Sequence, residues 1–299
     1  MKHCQNLLIG GCKFKYNEFQ FNSEYLDFPW KLDSFKSEKL DSELNYDFIY
    51  ETKIANKYNR NSLVKSRLVY TEHSGFQHYN IYYNKTKGWQ WILKLTRSNE
   101  VILEYNINHN WDNFKLIYDS SKTNGKYAFE YLIRPFSYGI LNHKGFVLHG
   151  VLMEYNNKGI IISAPSGTGK TTHARMWRDT QRALIINGDR ALCRNMDGKW
   201  TGFGMPWCGT SGEYINRDVE ISAIVVLEQA KENFVEKLDT LQAFNHMIPN
   251  ITAPTWEKNL LSKAMDYLED IVNEVPVYKL KCTPDIEAVE VLKKEIDKL

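Results

Sequence analysis

The feature that most constrains the fold is an apolar run that leads directly into a glycine-rich loop and then into a helical pattern. Residues 160–163 read IIIS, and residues 164–172 read APSGTGKTT. The loop follows the phosphate-binding pattern G-x-x-x-x-G-K-[ST], with Ala164 at the place of the first glycine. Because strand, loop and helix occur in the required order, the chain is expected to contain an α/β unit in which a strand delivers this loop to a helix N-terminus.

The residue types of this loop suit the binding of a nucleotide. Glycines allow the backbone to wrap a phosphate so that successive N–H groups point at the anion. Lys170 is expected to reach the β- and γ-phosphates, and the Thr171 hydroxyl to hold Mg²⁺. The predicted binding set for ATP and Mg²⁺ is Ser166, Gly167, Thr168, Gly169, Lys170, Thr171 and Thr172.

An acidic side chain follows the next apolar strand. The strand is predicted at residues 183–186, and Asp189 comes shortly after its end. Ligands of open α/β sheets bind at the carboxyl ends of the strands. Asp189 is therefore a candidate ligand of Mg²⁺ beside Thr171, a candidate acceptor of a proton from a substrate hydroxyl, or both. A solvated turn is the alternative, since the sequence NGD favours turns.

Two other residues are weaker candidates for the site. Glu228 ends the apolar strand predicted at residues 223–227 and is a rival acid. His149 lies in the apolar run 146–155, where Gly150 permits close approach of a neighbouring backbone. A lone histidine in such a run is more often a core residue than a catalytic one.

Residues 204–217 are rich in glycine and small polar side chains. They favour a loop near the mouth of the site. Arg190 or Arg217 can neutralise a transferring phosphate, as arginines do in phosphoryl transfer. Surface ion pairs are the alternative for both arginines.

The amino-acid composition of the chain changes near residue 128. Residues 1–128 contain 24 of the 40 aromatic residues but only 5 of the 17 glycines. Short runs of partly alternating aromatic and polar residues are typical of antiparallel strands with one solvated face. We predict a β-rich N-terminal domain at 1–128, available for substrate recognition, and an α/β domain at 129–299.

Charge and cysteine usage exclude several classes of function. The 38 basic and 36 acidic residues leave a net charge of +2, which does not favour general nucleic-acid or membrane binding. No apolar run approaches the roughly 18 residues of a membrane-spanning helix, and the polar start of the chain does not suit a secretory signal. Five scattered cysteines favour reduced thiols. A cytoplasmic location is expected, and a homo-oligomer is compatible with the sequence.

In combination, these motifs resemble the catalytic domain of HPr kinase/phosphorylase, which shares its P-loop core with ATP-dependent phosphoenolpyruvate carboxykinases. The resemblance covers about residues 129–299. It is stronger toward HPr-kinase-like proteins of bacterial clusters for modified peptides, some of which phosphorylate a peptide serine. The residues that carry it are 148–150 (LHG), 163–173 (SAPSGTGKTTH) and 204–209 (GMPWCG).

The resemblance assigns roles and also marks departures. In that family an Asp-Asp pair follows this strand; its second member is the catalytic base, assisted by the histidine of a His-Gly pair. By position, Asp189 is then the base and His149 its partner. Gly188 occupies the place of the first aspartate, which weakens the expected metal site, and Thr172 stands where HPr kinases often have glutamate. The C-terminal signature associated with phosphorolysis is absent from the sequence, so reversal of the reaction is not expected.

The resemblance and the motifs together predict a Mg²⁺-ATP-dependent kinase whose catalytic residues are Asp189, His149 and Lys170. Its acceptor is a hydroxyl, with serine of a peptide or small protein as the first candidate. Two alternatives stay open: a kinase for a small-molecule alcohol or sugar, and a nucleotide-binding regulatory module without catalysis. The choice between ATP and GTP also stays open.

Overall fold

Two compact units make up the chain. The computed structural model describes residues 2–19, 30–37, 45–55 and 66–299. Contacts divide it into Met1–Gly139 and Ile140–Leu299. Each unit contains a mixed sheet and few helices, so the chain is α/β. The predicted domains, one at 1–128 for substrate recognition and one at 129–299 for catalysis, stay a prediction.

The first unit is built on one mixed eight-stranded sheet, in the order β1-β2-β3-β8-β7-β6-β5-β4. Strand β3 runs parallel to both β2 and β8, and the other pairs are antiparallel. A 3-10 helix spans Trp30–Phe35. The elements are β1 (Lys2–Ile9), β2 (Cys12–Phe19), β3 (Phe48–Ala55), β4 (Arg67–Ser74), β5 (Gln77–Asn84), β6 (Gly88–Leu95), β7 (Val101–Ile107), β8 (Asn113–Asp119), α1 (Gly125–Tyr131) and α2 (Ile133–Gly139).

Helices α1 and α2 pack on this sheet through aromatic side chains. The ring centroid of Phe136 on α2 lies 5.2 Å from that of Phe48, which in turn stacks 6.0 Å from Phe114. The Tyr105 hydroxyl donates a hydrogen bond to the Ala128 carbonyl at 2.7 Å. Large buried rings contribute most of the apolar burial available to a sheet of this kind. The aromatic richness of the N-terminal sequence is therefore used for packing.

The second unit contains eight further strands and four helices after a 3-10 helix at Ile140–His143. Among the described ranges, no helix combines the length and the hydropathy needed to cross a membrane. The elements are β9 (Gly145–Tyr155), β10 (Lys158–Ser163), α3 (Lys170–Gln181), β11 (Leu184–Asn187), β12 (Arg190–Met196), β13 (Lys199–Phe203), β14 (Asp218–Gln229), β15 (Phe234–Lys237), α4 (Thr240–Met247), α5 (Lys258–Glu274), β16 (Val277–Cys282) and α6 (Ile286–Ile296).

The long strands β9 and β14 each take part in two layers of this unit. Their first halves pair with β12 and β13 in an antiparallel layer. Their second halves flank β10, which is antiparallel to β9 and parallel to β14. Because β14 is also parallel to β16, the carboxyl ends of β10, β14 and β16 meet at one edge of the sheet. That edge is where open α/β sheets bind ligands.

The core of the second unit follows the two-residue period of its strands. Alternate side chains of β9, β10, β14 and β16 point to the same face, where they pack with α3 and α6. Trp177 of α3 is fully buried there, and its ring lies 5.1 Å from that of Tyr155. The main strand residues of this core are Val151, Met153, Ile160, Ile162, Ala223, Val225 and Leu280. This packing fixes α3, and therefore its N-terminus, against the sheet edge.

Candidate active site

The glycine-rich loop connects β10 to α3 in the conformation that its glycines allow. Gly167 and Gly169 have φ angles of +80° and +106°, a region that residues with a Cβ rarely adopt. Gly169 is also the N-cap of α3 and supplies no side-chain acceptor for the first helical N–H groups. Those N–H groups and the helix dipole together favour an anion at this position.

Lys170 lies inside the loop and is only 7% exposed. Its ammonium donates to the carbonyl oxygens of Ala164 at 2.7 Å and Pro165 at 3.1 Å. An ammonium has three N–H donors, so these two bonds leave one for a ligand. Burial lowers the pKa of Lys170, and the negative charge of Asp189 acts in the opposite direction. An anion bound at the loop would offset the cost of burying this charge.

Asp189 and His149 lie side by side at the same edge. His149 on β9 is in register with Arg190 on β12, the residue that follows Asp189. Its Nδ1 lies 3.7 Å from one carboxylate oxygen of Asp189, and Arg190 Nε lies 3.2 Å from the other. Burial, followed by the positive charge of Lys170, lowers the pKa of His149. The imidazole is therefore neutral near pH 7, beside a half-buried carboxylate.

The first turn of α3 reaches the segment that carries Asp189. The Thr171 hydroxyl lies 3.5 Å from the Gly188 carbonyl oxygen. Thr172 and His173 face a cleft beside the loop. Ser166, Gly167 and Thr168 line a second cleft, in which Glu228 also lies. The structure thus brings Lys170, Thr171, His149 and Asp189 to one end of the sheet.

Two charged residues considered from the sequence are engaged elsewhere. Glu228 is half exposed and forms an ion pair with Lys279 at 2.7 Å; the hydrogen bond from Lys279 lowers its pKa. Arg217 forms an ion pair with Glu154, which lies five residues beyond His149 along β9. At roughly 3.3 Å per residue, this separation takes Arg217 well away from Asp189. Arg190 is the arginine that the structure places beside the carboxylate.

Asn187 is a buried residue of the site that the sequence did not single out. Its side-chain oxygen accepts hydrogen bonds from the backbone N–H groups of Asp189 at 3.1 Å and Arg190 at 2.9 Å. Its amide nitrogen donates to the carbonyls of Met205 at 3.0 Å and Trp207 at 3.1 Å. Asn187 therefore holds the turn that aims Asp189 and fastens the 204–217 segment to it. The turn-forming sequence NGD was the only signal for this role.

Asn187→Ala is expected to destabilise the protein, because it leaves buried N–H and C=O groups without partners. The free energy of unfolding should fall by about 2–4 kcal/mol, measured by denaturant unfolding. Asn195→Ala is the matched control, since its side chain accepts one bond, from Gly198 N–H, in an exposed turn. A loss no larger than that of the control would contradict the role of Asn187 as the central hydrogen-bonding residue.

The 204–217 segment closes over the carboxylate and is tied to α3. A Cβ at Gly209 would lie 2.6 Å from the Asp189 carboxyl carbon, so only glycine fits this close approach. Glu213 accepts hydrogen bonds from Arg175 at 3.0 Å and Arg178 at 2.9 Å on the exposed face of α3. The predicted loop near the mouth of the site therefore forms one wall around Asp189.

Comparison with known proteins identifies the family. Residues 127–286 match the family model described as SynChlorMet cassette protein ScmC, and this range is more than half of the chain. The chain belongs to the ScmC family. No curated protein matches it. A solved structure, the Hpr(Ser) kinase/phosphatase from Coxiella burnetii, aligns with 8% sequence identity and a TM-score of 0.31, covering 51% of this chain and 97% of that one.

The ScmC match contains the complete candidate site. It begins within α1 and ends at the first residue of α6. His149, the glycine-rich loop and Asp189 all fall inside it. Residues 1–126, which include the eight strands that the structure describes in the first unit, lie outside it. The resemblance to HPr kinases drawn from the motifs stays a prediction about a wider grouping.

In this ScmC family member the Ser211 side chain packs directly against Gly188. A Cβ at Gly188 would lie 2.7 Å from the Ser211 Cβ, and it would also collide with the Ser211 hydroxyl. That hydroxyl donates to the Cys208 carbonyl at 2.6 Å, which fixes its position. The packing of the 204–217 segment therefore leaves no room for a side chain at position 188. An aspartate does not fit there without rearrangement.

Gly188→Ala is expected to destabilise the protein through this overlap, by about 1–3 kcal/mol in thermal or denaturant unfolding. Adding Ser211→Gly to the same protein removes the colliding hydroxyl and should recover part of the loss. Equal stability of Gly188→Ala and the unaltered chain would mean that the segment moves aside freely.

Proposed function

We propose that the chain is a Mg²⁺-ATP-dependent kinase that phosphorylates a hydroxyl group. Serine of a peptide or small protein is the first candidate for the acceptor. The observation that carries the proposal is the convergence of a buried lysine in a glycine-rich loop with a half-buried aspartate and a neutral histidine. Phosphoryl transfer needs a cation for the transferring group and an acceptor for the hydroxyl proton, and this end of the sheet offers both.

The donor groups of the loop fit a nucleotide triphosphate. The left-handed glycines Gly167 and Gly169 and the uncapped N-terminus of α3 present N–H groups to an anion. Lys170 retains one free donor for the β- and γ-phosphates. Mg²⁺ usually takes only one or two protein oxygens and completes its shell with phosphate and water. Thr171 and Asp189 would provide those two oxygens, and the metal would neutralise charge on the phosphates.

Asp189 is the proposed proton acceptor for the substrate hydroxyl. His149 lies beside it without a hydrogen bond, and its neutral ring adds no charge that would compete with the proton. Arg190 Nε lies 3.2 Å from the other carboxylate oxygen and places a positive charge beside it. Catalysis in this arrangement rests on positioning and charge stabilisation, with little covalent chemistry from the protein.

A second candidate is a nucleotide-binding regulatory module. The observation that favours it is the packing of Ser211 into the space where a second acid would stand beside Asp189. With one carboxylate, a site can hold a nucleotide and fail to turn it over. A kinase for a small-molecule alcohol or sugar is the third outcome to be tested. In each case residues 1–128 are available for recognising the acceptor or partner. We place the enzyme in the cytoplasm, where ATP is present and cysteines stay reduced.

The test incubates the full chain with Mg²⁺ and radiolabelled ATP in the presence of candidate acceptors. Since the matched family is described as a cassette protein, peptides encoded beside the gene are the first to try, each with a serine-to-alanine counterpart. Label on the serine peptide alone supports the proposal, and label on glycerol or a sugar supports the small-molecule kinase. Tight binding without consumption supports the regulatory module. A chain that binds no nucleotide overturns all three.

A further inference from the structure

The loop that closes over Asp189 has a tip of sequence GTSG, which begins at Gly209. A Cβ at Gly209 would lie 2.6 Å from the carboxyl carbon of Asp189 and 2.6 Å from one of its oxygens. Further along the tip, the Ser211 Cβ lies 2.7 Å from the position of a Cβ at Gly188. Thr210 stands between these two contacts. Its backbone is therefore held beside the carboxylate that is proposed to accept a proton from a substrate hydroxyl.

The two hydroxyl groups of the tip have different surroundings. The Ser211 hydroxyl donates to the Cys208 carbonyl at 2.6 Å and accepts from the Glu213 backbone N–H at 3.3 Å. Thr210 is exposed, and its hydroxyl has no hydrogen-bond partner within the part of the chain that the structure describes. Thr210 is thus the hydroxyl of the tip that can react without breaking a bond that shapes the turn.

Contacts beyond the tip fix it to the elements that carry the phosphate site. The Gly188 N–H donates to the Glu213 carbonyl at 2.9 Å. The Glu213 carboxylate accepts from Arg175 at 3.0 Å and from Arg178 at 2.9 Å. Both arginines belong to α3, the helix that begins with Lys170 at the glycine-rich loop. The tip is therefore anchored both to the segment of the proposed base and to the helix that faces the phosphates.

We propose that the Thr210 hydroxyl is a phosphate acceptor of the chain itself and is modified by the nucleotide bound to the same chain. The Thr210 oxygen attacks the γ-phosphorus of Mg²⁺-ATP and forms the new O–P bond. The bond from that phosphorus to the β,γ-bridging oxygen breaks, ADP leaves, and the hydroxyl proton passes to Asp189. The inference rests on the proposed function, because it uses the same nucleotide and the same proton acceptor.

Two features favour a reaction within one chain. Because the tip and Asp189 are held together by the fold, bringing the hydroxyl to the base costs little translational freedom, which gives a high effective concentration. Gly209 and Gly212 flank the two hydroxyl residues with φ angles of +57° and +72°. Glycine has a wide range of backbone conformations, so rotation at these two positions can aim the Thr210 side chain toward the phosphates.

The experiment incubates the full chain with Mg²⁺ and radiolabelled ATP without an added acceptor, and mass spectrometry of its peptides locates the phosphate. One phosphate on Thr210 is expected, with a rate constant that does not change with the concentration of the chain. Thr210→Ala should lower the label on the chain at least about tenfold, and Thr210→Ser, which keeps a hydroxyl, should retain it. Thr255→Ala is the matched control, at an exposed threonine of another turn, and should be labelled as the unaltered chain is.

Mixing two forms of the chain tests whether the transfer stays within one molecule. The unaltered chain is incubated with a tagged Lys170→Ala chain, which keeps Thr210 but lacks the cation of the phosphate site. Label should appear on the unaltered chain alone. Equal labelling of the Lys170→Ala chain would show transfer between molecules and would overturn the inference.

A parallel reaction with added peptides, glycerol and sugars separates this inference from the proposed function. If phosphate reaches an added acceptor but not Thr210, or reaches a different residue of the chain, the inference is overturned and the proposed kinase stands. If ATP binds but phosphate reaches neither the chain nor any acceptor, the kinase and the inference both fail and the regulatory module remains.

Discussion

Lys170→Ala is expected to reduce phosphoryl transfer by about 10²–10³-fold and to weaken ATP binding, because the loop loses the cation nearest the β- and γ-phosphates. The fold should persist. The ammonium is buried at the loop and its hydrogen bonds go to the carbonyls of Ala164 and Pro165, which water can reach once the side chain is removed. Calorimetry with ATP and turnover with the accepted substrate measure the two effects.

Lys199→Ala is the matched control for this substitution. Lys199 is 67% exposed, on β13, and pairs with Glu220, so its removal changes the net charge by the same amount away from the loop. ATP affinity and turnover should be unchanged in this variant. Unchanged affinity and turnover in Lys170→Ala as well would end the assignment of the loop as a phosphate site.

Asp189→Asn should lose phosphoryl transfer by about 10²–10⁴-fold, because it removes the proton acceptor while keeping the size of the side chain. If Asp189 acts as the base alone, ATP binds within a few-fold of the unaltered chain. If it is chiefly a ligand of Mg²⁺, affinity falls when Mg²⁺ is present and is unchanged in its absence. Binding measured with and without the metal separates the two roles.

Two variants complete the test of Asp189. Asp197→Asn, at an exposed turn residue with a φ angle of +54° that asparagine also tolerates, should behave as the unaltered chain. His149→Ala should cost less than Asp189→Asn, because the histidine lies beside the carboxylate and makes no hydrogen bond to it. Wild-type transfer by Asp189→Asn would exclude both roles and make Glu228 the next acid to test.

Much of the second unit was predictable from local patterns. The apolar runs now seen as β9, β10, β11 and the second half of β14 stand out in the sequence, and helix α3 was expected directly after the glycine-rich loop. Strands β12 and β16 were not predicted. β12 carries Arg190, Arg194 and Asn195 among its apolar residues, and β16 alternates apolar residues with lysines over only six positions. Such short, mixed segments become strands because a neighbour pairs with them.

Site residues that directly follow a predicted strand could be identified from the sequence. Site residues that meet only through the packing of distant segments could not. The loop, Lys170 and Asp189 are adjacent to clear strands, so their meeting at one edge follows from α/β topology. The bond from Trp177 to His173 joins residues one helical turn apart, yet only the fold shows that both are buried. Asn187 and Ser211 act through the 204–217 segment, whose path over Asp189 leaves no periodic signal in the sequence.

The pairing of β10 between β9 and β14 has a consequence for the order in which the chain folds. The β9–β10 hairpin closes through Asn156 and Asn157 and needs only local contacts, which form fast. The other edge of β10 can pair only after Ile221–Val226 of β14 has been synthesised. β14 in turn can pair with β16 only after Val277–Cys282 has been synthesised. During synthesis the glycine-rich loop is therefore made before β14 and β16, and it is held in its final shape only after nearly the whole chain has emerged. Substitutions at the start of β16 would then delay the ordering of the loop although they lie in a different strand.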